Sequence, residues 1–254
     1  MLRCLVMGDT HTGDVGGIVS PDDFIPRLQH LQEPLWAWFT STIDSYGPFD
    51  LSLDMGDATE GEGKKDTIGL ITTNTLKQAK MAAPVYERTK AKKHYMVRGT
   101  GYHVTGTYEY EDPLAEMLDA SLKDEQYLDL NGLKVSMRHV VGRSDTPYGA
   151  NTMIYKEVVR DLVTAIEDES EPADLTLRGH VHMDTEARVG RRYGATVPCL
   201  KYPGSVFGRK CRAFYYHMGV GILEIRNKDD WRYRSLLYPL CVKHTRDYEA
   251  VKEE

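Results

Sequence analysis

The sequence lacks any run of about 20 apolar residues, the length that a helix needs to cross a bilayer. Its first residues, MLRCLVM, have the pattern of a strand and lack the charged and apolar regions of a secretory signal. An excess of positive charge is also absent, since 32 lysines and arginines face 38 aspartates and glutamates. These absences argue against a membrane protein and against a surface that binds nucleic acid as a whole, and they predict a cytoplasmic location.

Cysteine is scarce, and its four copies show no C-x-x-C spacing. Each lies in or beside an apolar stretch, so we interpret all four as reduced core residues. The sequence also has no Gly-x-Ser-x-Gly motif and no cysteine in a loop beside a histidine, which leaves a serine or cysteine hydrolase without support. Internal repeats and low-complexity segments are missing as well. The four cysteines are Cys4, Cys199, Cys211 and Cys241.

What remains is the pattern of one α/β domain. With 41% hydrophobic residues the chain can bury one large core, and we predict a single domain over 1–242 followed by a charged tail over 243–254. Apolar strands alternate with amphipathic helices, one interrupted near Pro34 and another, from about Thr67, broken at Pro84. A hairpin is expected around Asn131-Gly132, with His139 in its second strand.

Three of the predicted strands end in residues that can bind metal. The first leads into Asp9-Thr10-His11, the second into Gly56-Asp57, and a later one into Gly179-His180-Val181-His182. Because alternate residues of a strand point to the same face, the Asp-x-His and His-x-His spacings would aim both side chains the same way. One such ending is ordinary, since Gly-Asp is usually a turn, but three of them at strand ends indicate a metal site.

Six candidate ligands follow from these endings and from the strand histidine. They combine carboxylate oxygen with imidazole nitrogen, a mixture that suits divalent cations of intermediate softness. A carboxylate can bridge two cations through its two oxygens, and Asp57, alone after its strand, is the natural bridge. Two cations about 3.5–4 Å apart share a water, lower its pKa and aim the resulting hydroxide in line at phosphorus. The six are Asp9, His11, Asp57, His139, His180 and His182.

The order of these motifs resembles that of the calcineurin-like metallophosphoesterases over about residues 1–225. The resemblance implies a four-layer α/β/β/α sandwich of two mixed β-sheets flanked by helices, similar to the metal-dependent phosphatases, with a dinuclear site at the C-terminal ends of the strands. His103 would match the family histidine that protonates the leaving group or stabilises the phosphoryl oxygens, so His103 and Asp57 are the expected catalytic residues. The implied ligands are Asp9, His11, Asp57 and His182 for the first metal, and Asp57, His139 and His180 for the second.

The chain departs from the family pattern after its third strand. The usual Gly-Asn-His-Asp/Glu element reads Gly99-Thr100-Gly101-Tyr102-His103-Val104, so the asparagine that binds the second metal is missing and the histidine is displaced by two residues. Thr100 offers a neutral hydroxyl as a weaker ligand, and Glu60 keeps a carboxylate that either binds weakly or supports the ligands. Gly-Thr-x-x-His variants resemble phage or prophage phosphoesterases, which would place the protein in the host cytoplasm.

The resulting hypothesis is a divalent-metal-dependent phosphoesterase that uses two cations. The ligand types favour Mn²⁺, with Zn, Fe, Ni or Mg as alternatives. Basic and tyrosine-rich stretches favour a phosphodiesterase or nuclease over a phosphomonoesterase, so nucleic acid or a nucleotide is a candidate partner. Arg98 and Arg143 are the candidates to bind substrate phosphate, because guanidinium matches its oxygens bidentately. Lys201, with lysines and arginines elsewhere, would add to a local basic rim.

The alternative is a non-catalytic metal-binding scaffold of the same fold, in which the missing asparagine has cost the second metal. The oligomeric state stays open.

Overall fold

The computed structural model describes residues 1–62, 69–101, 110–144, 146, 149–203 and 216–239. Within them the chain forms two mixed β-sheets packed face to face, with helices on the outer side of each sheet. This arrangement confirms the predicted α/β/β/α sandwich. The boundary between a domain over 1–242 and a tail over 243–254 lies outside the described residues and stays a prediction.

The first sheet contains six strands. The C-terminal ends of three of its parallel strands lead into loops that carry predicted site residues. The strands are β1 (Leu2–Met7), β2 (Leu51–Asp54), β3 (Lys93–Val97), β4 (Ser121–Lys123), β10 (Gly219–Asn227) and β11 (Asp230–Leu237). Their order is β11-β10-β1-β2-β3-β4. The neighbours from β1 to β4 are parallel, whereas β10 runs antiparallel to β1 and β11. The loops after β1, β2 and β3 therefore leave the sheet side by side.

The second sheet contains five strands, with three parallel strands at its centre. The strands are β5 (Glu125–Leu130), β6 (Leu133–Arg138), β7 (Leu175–Arg178), β8 (Thr185–Val189) and β9 (Arg192–Thr196), in the order β5-β6-β7-β9-β8. The predicted hairpin is confirmed, because β5 and β6 pair across Asn131 and Gly132. Both turn residues have positive φ, 56° and 88°, as a tight two-residue hairpin turn requires.

Four α-helices in the described part of the chain cover the sheets. Helices α1 (Gln29–Tyr46), α2 (Thr75–Glu87) and α3 (Asp112–Met117) lie on the first sheet, and α4 (Ala150–Glu167) packs on β7, β8 and β9. Alternate residues of β1 serve the two cores: Leu5 and Met7 face the helices, while Val6 faces the second sheet. None of the described helices is both long and apolar enough to span a bilayer.

The prediction that Pro34 and Pro84 interrupt their helices is wrong, since α1 and α2 continue through them. A proline removes the main-chain hydrogen bond to the carbonyl four residues earlier. Here those carbonyls belong to His30 and Lys80, which are exposed, so water can replace the lost bond. Helix α2 also begins later than predicted, at Thr75, where the Asn74 side chain accepts a hydrogen bond from the Lys77 amide (2.8 Å). The predicted start, Thr67, lies outside the described residues.

Candidate metal centre

The two sheets bring the candidate ligands to one edge of the sandwich. Asp9 and His11 follow β1 and Asp57 follows β2, whereas His139 follows β6 and the histidine pair follows β7. A hydrogen bond joins the two sides, since the His180 amide donates to Asp9 Oδ2 (3.0 Å). Within the first sheet, the Asp9 amide donates to the Gly56 carbonyl (2.8 Å) and ties the loops after β1 and β2 together. The site is therefore built from loops at the C-terminal ends of parallel strands in both sheets.

Six side chains form two clusters of potential ligand atoms, and the atoms within each cluster lie within 4.8 Å of one another. All but His180 are buried. One cluster contains Asp9, His11 and His182, and the other contains Asp57, His139 and His180. The second cluster has the same members as the set that the family resemblance implied for the second metal, whereas the first cluster lacks Asp57 from its implied set. The two histidines of the His-x-His pair go to different clusters.

Asp57 lies between the two clusters. Its Oδ2 atom is 3.1 Å from His139 Nε2 in its own cluster and 3.9 Å from His11 Nε2 in the other. A single carboxylate oxygen thus faces nitrogen atoms from both groups. This is the position expected of a carboxylate shared by two cations.

The backbone at these residues is unusual. Among the described residues, nine other than glycine have positive φ, and five of the nine are candidate ligands. Such conformations are uncommon and cluster at functional sites, where the surrounding structure holds them in place. The five are Asp9 (49°), His11 (46°), Asp57 (52°), His180 (73°) and His182 (54°).

The predicted reason for the Asp-x-His and His-x-His spacings is therefore wrong. These residues lie in left-handed conformation beyond the strands, so strand alternation does not orient them. His139, predicted inside a strand, also lies one residue beyond the end of β6.

Hydrogen bonds orient three of the four candidate ligand histidines in the same way. His11 Nδ1 lies 2.6 Å from Glu60 Oε2, and His139 Nδ1 lies 2.5 Å from the Met55 carbonyl oxygen, two groups that accept hydrogen bonds. His182 Nδ1 lies 3.0 Å from the hydroxyl of Tyr216, whose proton goes to the Lys201 carbonyl (2.6 Å), so this hydroxyl accepts from the imidazole. Each histidine is thereby held as the Nδ1–H tautomer, which presents the Nε2 lone pair to a cation.

The electrostatics of the metal-free site favour positive charge. Burial alone would lower the pKa of His139, but the nearby negative charge of Asp57 raises it to about 10. Burial opposes protonation of His182 in the same way, and neighbouring groups including Asp9 raise its pKa to about 10. Although burial would raise the pKa of the Asp9 carboxyl, His182 and His11 hold it well below its ordinary value. The site is thus electrostatically prepared to hold cations, be they protons or metal ions.

The donor set fits divalent metal ions on a further observation. His139 Nε2 is buried and has no partner with hydrogen-bond geometry among the described residues, even though a carboxylate oxygen of Asp57 lies 3.1 Å away. A lone pair that faces a carboxylate is repulsive unless a cation or a proton lies between them. Imidazole nitrogen with carboxylate oxygen is also the ligand chemistry of Zn²⁺, Mn²⁺ and Fe.

A buried lysine lies behind the first cluster, where sequence reasoning placed none. Lys201 is only 5% exposed, and its ammonium lies 2.9 Å from Glu60 Oε2 and 3.2 Å from Asp14 Oδ2. Its predicted place on a basic rim is therefore wrong, because the buried Asp14 and the partly buried Glu60 bind it inside the protein. Glu60 receives both Lys201 and the His11 imidazole, so it supports a candidate ligand through a hydrogen bond.

Thr100 contacts Asp57 through two groups. Its amide donates to Asp57 Oδ1 (2.7 Å), and its hydroxyl lies 3.2 Å and 3.3 Å from the two carboxylate oxygens. Thr100 thus orients the carboxylate that lies between the clusters. A role as a direct ligand stays a prediction.

The other predicted site residues lie outside the two clusters. Arg98 pairs with Asp112 (3.0 Å) and Asp124 (3.6 Å), carboxylates that belong to neither cluster. Arg143 is half-buried in the segment after β6. Their roles in phosphate binding stay predictions. His103 lies outside the described residues.

No protein-family model matches the chain, and no curated protein matches it. Solved structures resemble it over most of its length at low identity. The wild-type Vps29 of Entamoeba histolytica complexed with Zn²⁺ is 14% identical with a TM-score of 0.44, and the match covers 93% of this chain and 99% of that one. An archaeal phosphodiesterase is 14% identical with a TM-score of 0.46, covering 92% and 100%. A predicted phosphoesterase from Streptococcus pneumoniae is 14% identical with a TM-score of 0.42, covering 92% and 98%.

Proposed function

We propose that this chain is a phosphoesterase that depends on two divalent cations and belongs to the calcineurin-like metallophosphoesterases. The observation that carries the proposal is the place of Asp57 Oδ2, which faces His139 Nε2 at 3.1 Å and His11 Nε2 at 3.9 Å. One carboxylate set between two His-containing clusters is the arrangement that a pair of cations requires. The Gly-Thr-x-x-His loop is the basis for proposing a phage-type member.

Two cations, when bound, would supply charge stabilisation for the phosphoryl oxygens and an activated water for attack on phosphorus. Asp9, His11 and His182 would hold the first, and His139 and His180 the second, with Asp57 shared between them. The chain itself fixes these groups before substrate arrives. Its Nδ1 hydrogen bonds set the imidazole tautomers, and its left-handed loops set the directions of the side chains.

We further propose that His103 donates a proton to the leaving group, and that Arg98 and Arg143 contact substrate phosphate. Mn²⁺ is the proposed cation because the donors mix carboxylate with imidazole. Phosphodiesters, including nucleic acid, are the proposed substrates ahead of monoesters. The support for this preference is the basic and tyrosine-rich stretches of the sequence, since some of the 16 tyrosines could stack on bases.

The test compares Asp57→Asn with wild type in metal content and in activity. Elemental analysis should find two Mn²⁺ per wild-type chain, and hydrolysis of bis(4-nitrophenyl) phosphate should depend on them. Asp57→Asn should lose both cations and nearly all activity, because the amide lacks the negative charge that offsets paired cations. Asp50→Asn is the matched control, since Asp50 precedes β2 at the opposite edge of the same sheet and accepts a hydrogen bond from the Arg3 amide (3.0 Å).

Two outcomes would contradict parts of the proposal. Two bound cations in Asp57→Asn would remove Asp57 from the shared position. Two bound cations in wild type without hydrolysis of any diester, monoester, nucleotide or nucleic acid tested would favour the non-catalytic scaffold.

A further inference from the structure

Glu111 is a buried carboxylate, 8% exposed, that lies directly before α3. Among the described contacts, neither of its oxygens forms an ion pair with a lysine, arginine or histidine side chain. Instead Oε1 accepts a hydrogen bond from the Ala58 amide (2.9 Å), and Oε2 accepts one from the Gly99 amide (2.8 Å). One side chain therefore joins the loop after β2 to the loop after β3.

The same two loops meet a second time through Asp57. Ala58 follows Asp57 directly in the first loop, and Gly99 precedes Thr100 in the second. The Thr100 amide donates to Asp57 Oδ1 (2.7 Å). The two loops thus exchange hydrogen bonds through two carboxylates, Glu111 from outside the pair and Asp57 from within it.

This double connection decides which oxygen of Asp57 faces the clusters. Because Oδ1 is occupied by the Thr100 amide, Oδ2 is the atom that lies near His139 Nε2 (3.1 Å) and His11 Nε2 (3.9 Å). Gly99 and Asp57 are so close that no side chain fits between them, since a Cβ on Gly99 would lie 2.0 Å from Asp57 Oδ1. Releasing the Gly99 amide from Glu111 would let the second loop, and Asp57 with it, shift.

We infer that Glu111 is a positioning residue, which fixes the shared carboxylate Asp57 for two cations by holding the loops after β2 and β3 together. The inference rests on the proposed function. The loop after β3 contributes backbone amides to both Asp57 and Glu111, and Glu111 connects this loop to the loop after β2. Sequence reasoning could not assign this role, because the contacts of Glu111 reach back 53 and 12 residues.

The test measures the Mn²⁺ concentration that gives half-maximal hydrolysis of bis(4-nitrophenyl) phosphate in Glu111→Gln, Glu111→Asp and wild type. In Glu111→Gln one carboxylate oxygen is replaced by the amide NH₂ group, a donor that faces a backbone N–H. In Glu111→Asp the shorter side chain cannot reach both backbone amides. Both variants should need roughly 10–100-fold more Mn²⁺, as is typical when a group that orients a ligand is lost. Activity at saturating Mn²⁺ should largely return, because all the ligands remain. Asp50→Asn is again the control and should match wild type.

An unchanged half-saturating Mn²⁺ concentration in folded Glu111→Gln would overturn the inference, since a purely structural role would lower the amount of active protein without shifting this value. Circular dichroism checks folding, and Glu111→Asp decides if Glu111→Gln does not fold. The two proposals fail separately. If wild type does not bind Mn²⁺ in a way that requires Asp57, the proposed function is contradicted. If Mn²⁺ binding requires Asp57 but Glu111→Gln behaves as wild type does, only the role of Glu111 is contradicted.

Discussion

The Nε2 atoms of His11 and His182 lie 3.1 Å apart, although the two residues are 171 positions apart in the chain. Both Nδ1 atoms are engaged by groups that accept hydrogen bonds, Glu60 for His11 and the Tyr216 hydroxyl for His182. In neutral imidazoles of this tautomer both Nε2 atoms carry lone pairs, which repel at such a distance. A positive charge must therefore lie between or beside them, either an extra proton or a metal ion.

The distance itself suits a metal ion. Two nitrogens that each lie about 2.0–2.1 Å from one zinc ion are about 3.4 Å apart at a tetrahedral angle and about 2.9 Å apart at a right angle. The observed 3.1 Å lies between these values. Asp9 Oδ1, 3.1 Å from His182 Nε2 and 3.7 Å from His11 Nε2, completes one face of such a site.

Gly99→Ala should weaken cation binding because the new methyl group would collide with Asp57. Its Cβ would lie 2.0 Å from Asp57 Oδ1 and 2.6 Å from the Asp57 amide nitrogen, and the backbone there cannot yield easily. Gly101→Ala is the matched control, since a Cβ at that position meets no described atom within 4 Å. We expect calorimetric titration with Mn²⁺ to show weaker binding in Gly99→Ala alone. Equal binding in the two variants would mean that Asp57 is less rigidly held than its contacts indicate.

The positions of the candidate ligands could be predicted, but their conformations could not. Asp9, Asp57 and His180 each follow a glycine after an apolar strand, and parallel strands bring such endings to one edge. The left-handed backbone at these residues depends on contacts between loops, such as the one from the His180 amide to Asp9, that local sequence does not reveal. Strand alternation was accordingly the wrong reason to expect these side chains near one another.

The metal-free protein should lose stability as the pH rises above neutrality. His139 and His182 have an ordinary pKa of 6.5 that the folded site raises to about 10. A raised histidine pKa contributes stability that is complete below pH 6.5 and is lost as the pH rises towards 10. In EDTA, the melting temperature should fall steadily between these limits.

Saturating Mn²⁺ should remove most of this pH dependence, because a metal ion then replaces the proton as the partner of each histidine. His30→Ala, at an exposed histidine on α1, is the control and should keep the slope of wild type. A melting temperature in EDTA that stays level or rises across this range would contradict the assigned pKa directions.

Lys201→Met should destabilise the protein by about 3–5 kcal/mol, because it leaves the buried Asp14 and the partly buried Glu60 without their cation. Lys92→Met is the matched control. Lys92 forms an ion pair of 2.7 Å with Asp50, but its side chain is 77% exposed, and such pairs contribute about 1 kcal/mol or less. Urea unfolding in EDTA measures both values. A loss in Lys201→Met as small as that in Lys92→Met would show that water reaches the buried lysine.

The burial of Lys201 could not be predicted from the sequence. Its two carboxylate partners lie in the loops after β1 and β2, and Glu60 is 141 residues away in the chain. A single lysine after the apolar run Val197–Leu200 looks like a strand end that reaches solvent. The prediction of helix breaks at Pro34 and Pro84 was wrong for a related reason. A proline is tolerated in these helices because the carbonyl that loses its hydrogen bond belongs to an exposed residue, and that exposure depends on how the helix packs.

Thr100→Ala should weaken the second cation site without emptying the first. The second cluster offers Asp57, His139 and His180, and the Thr100 hydroxyl lies within 3.3 Å of the shared carboxylate. We expect wild type to show one tight and one weaker Mn²⁺ site by calorimetry, with Thr100→Ala weakening the weaker site. Thr100→Ser keeps the hydroxyl and should behave as wild type. Two equally tight sites that Thr100→Ala leaves unchanged would mean that another residue completes the coordination of the second cation.

The most direct test of a shared Asp57 is a crystal structure of the protein soaked in Mn²⁺, with data collected at a wavelength where manganese scatters anomalously. We predict two anomalous peaks about 3.5–4 Å apart. One should lie among Asp9, His11 and His182, the other between His139 and His180, with Asp57 in contact with both. A single peak, or two peaks of which only one contacts Asp57, would contradict the proposed dinuclear centre.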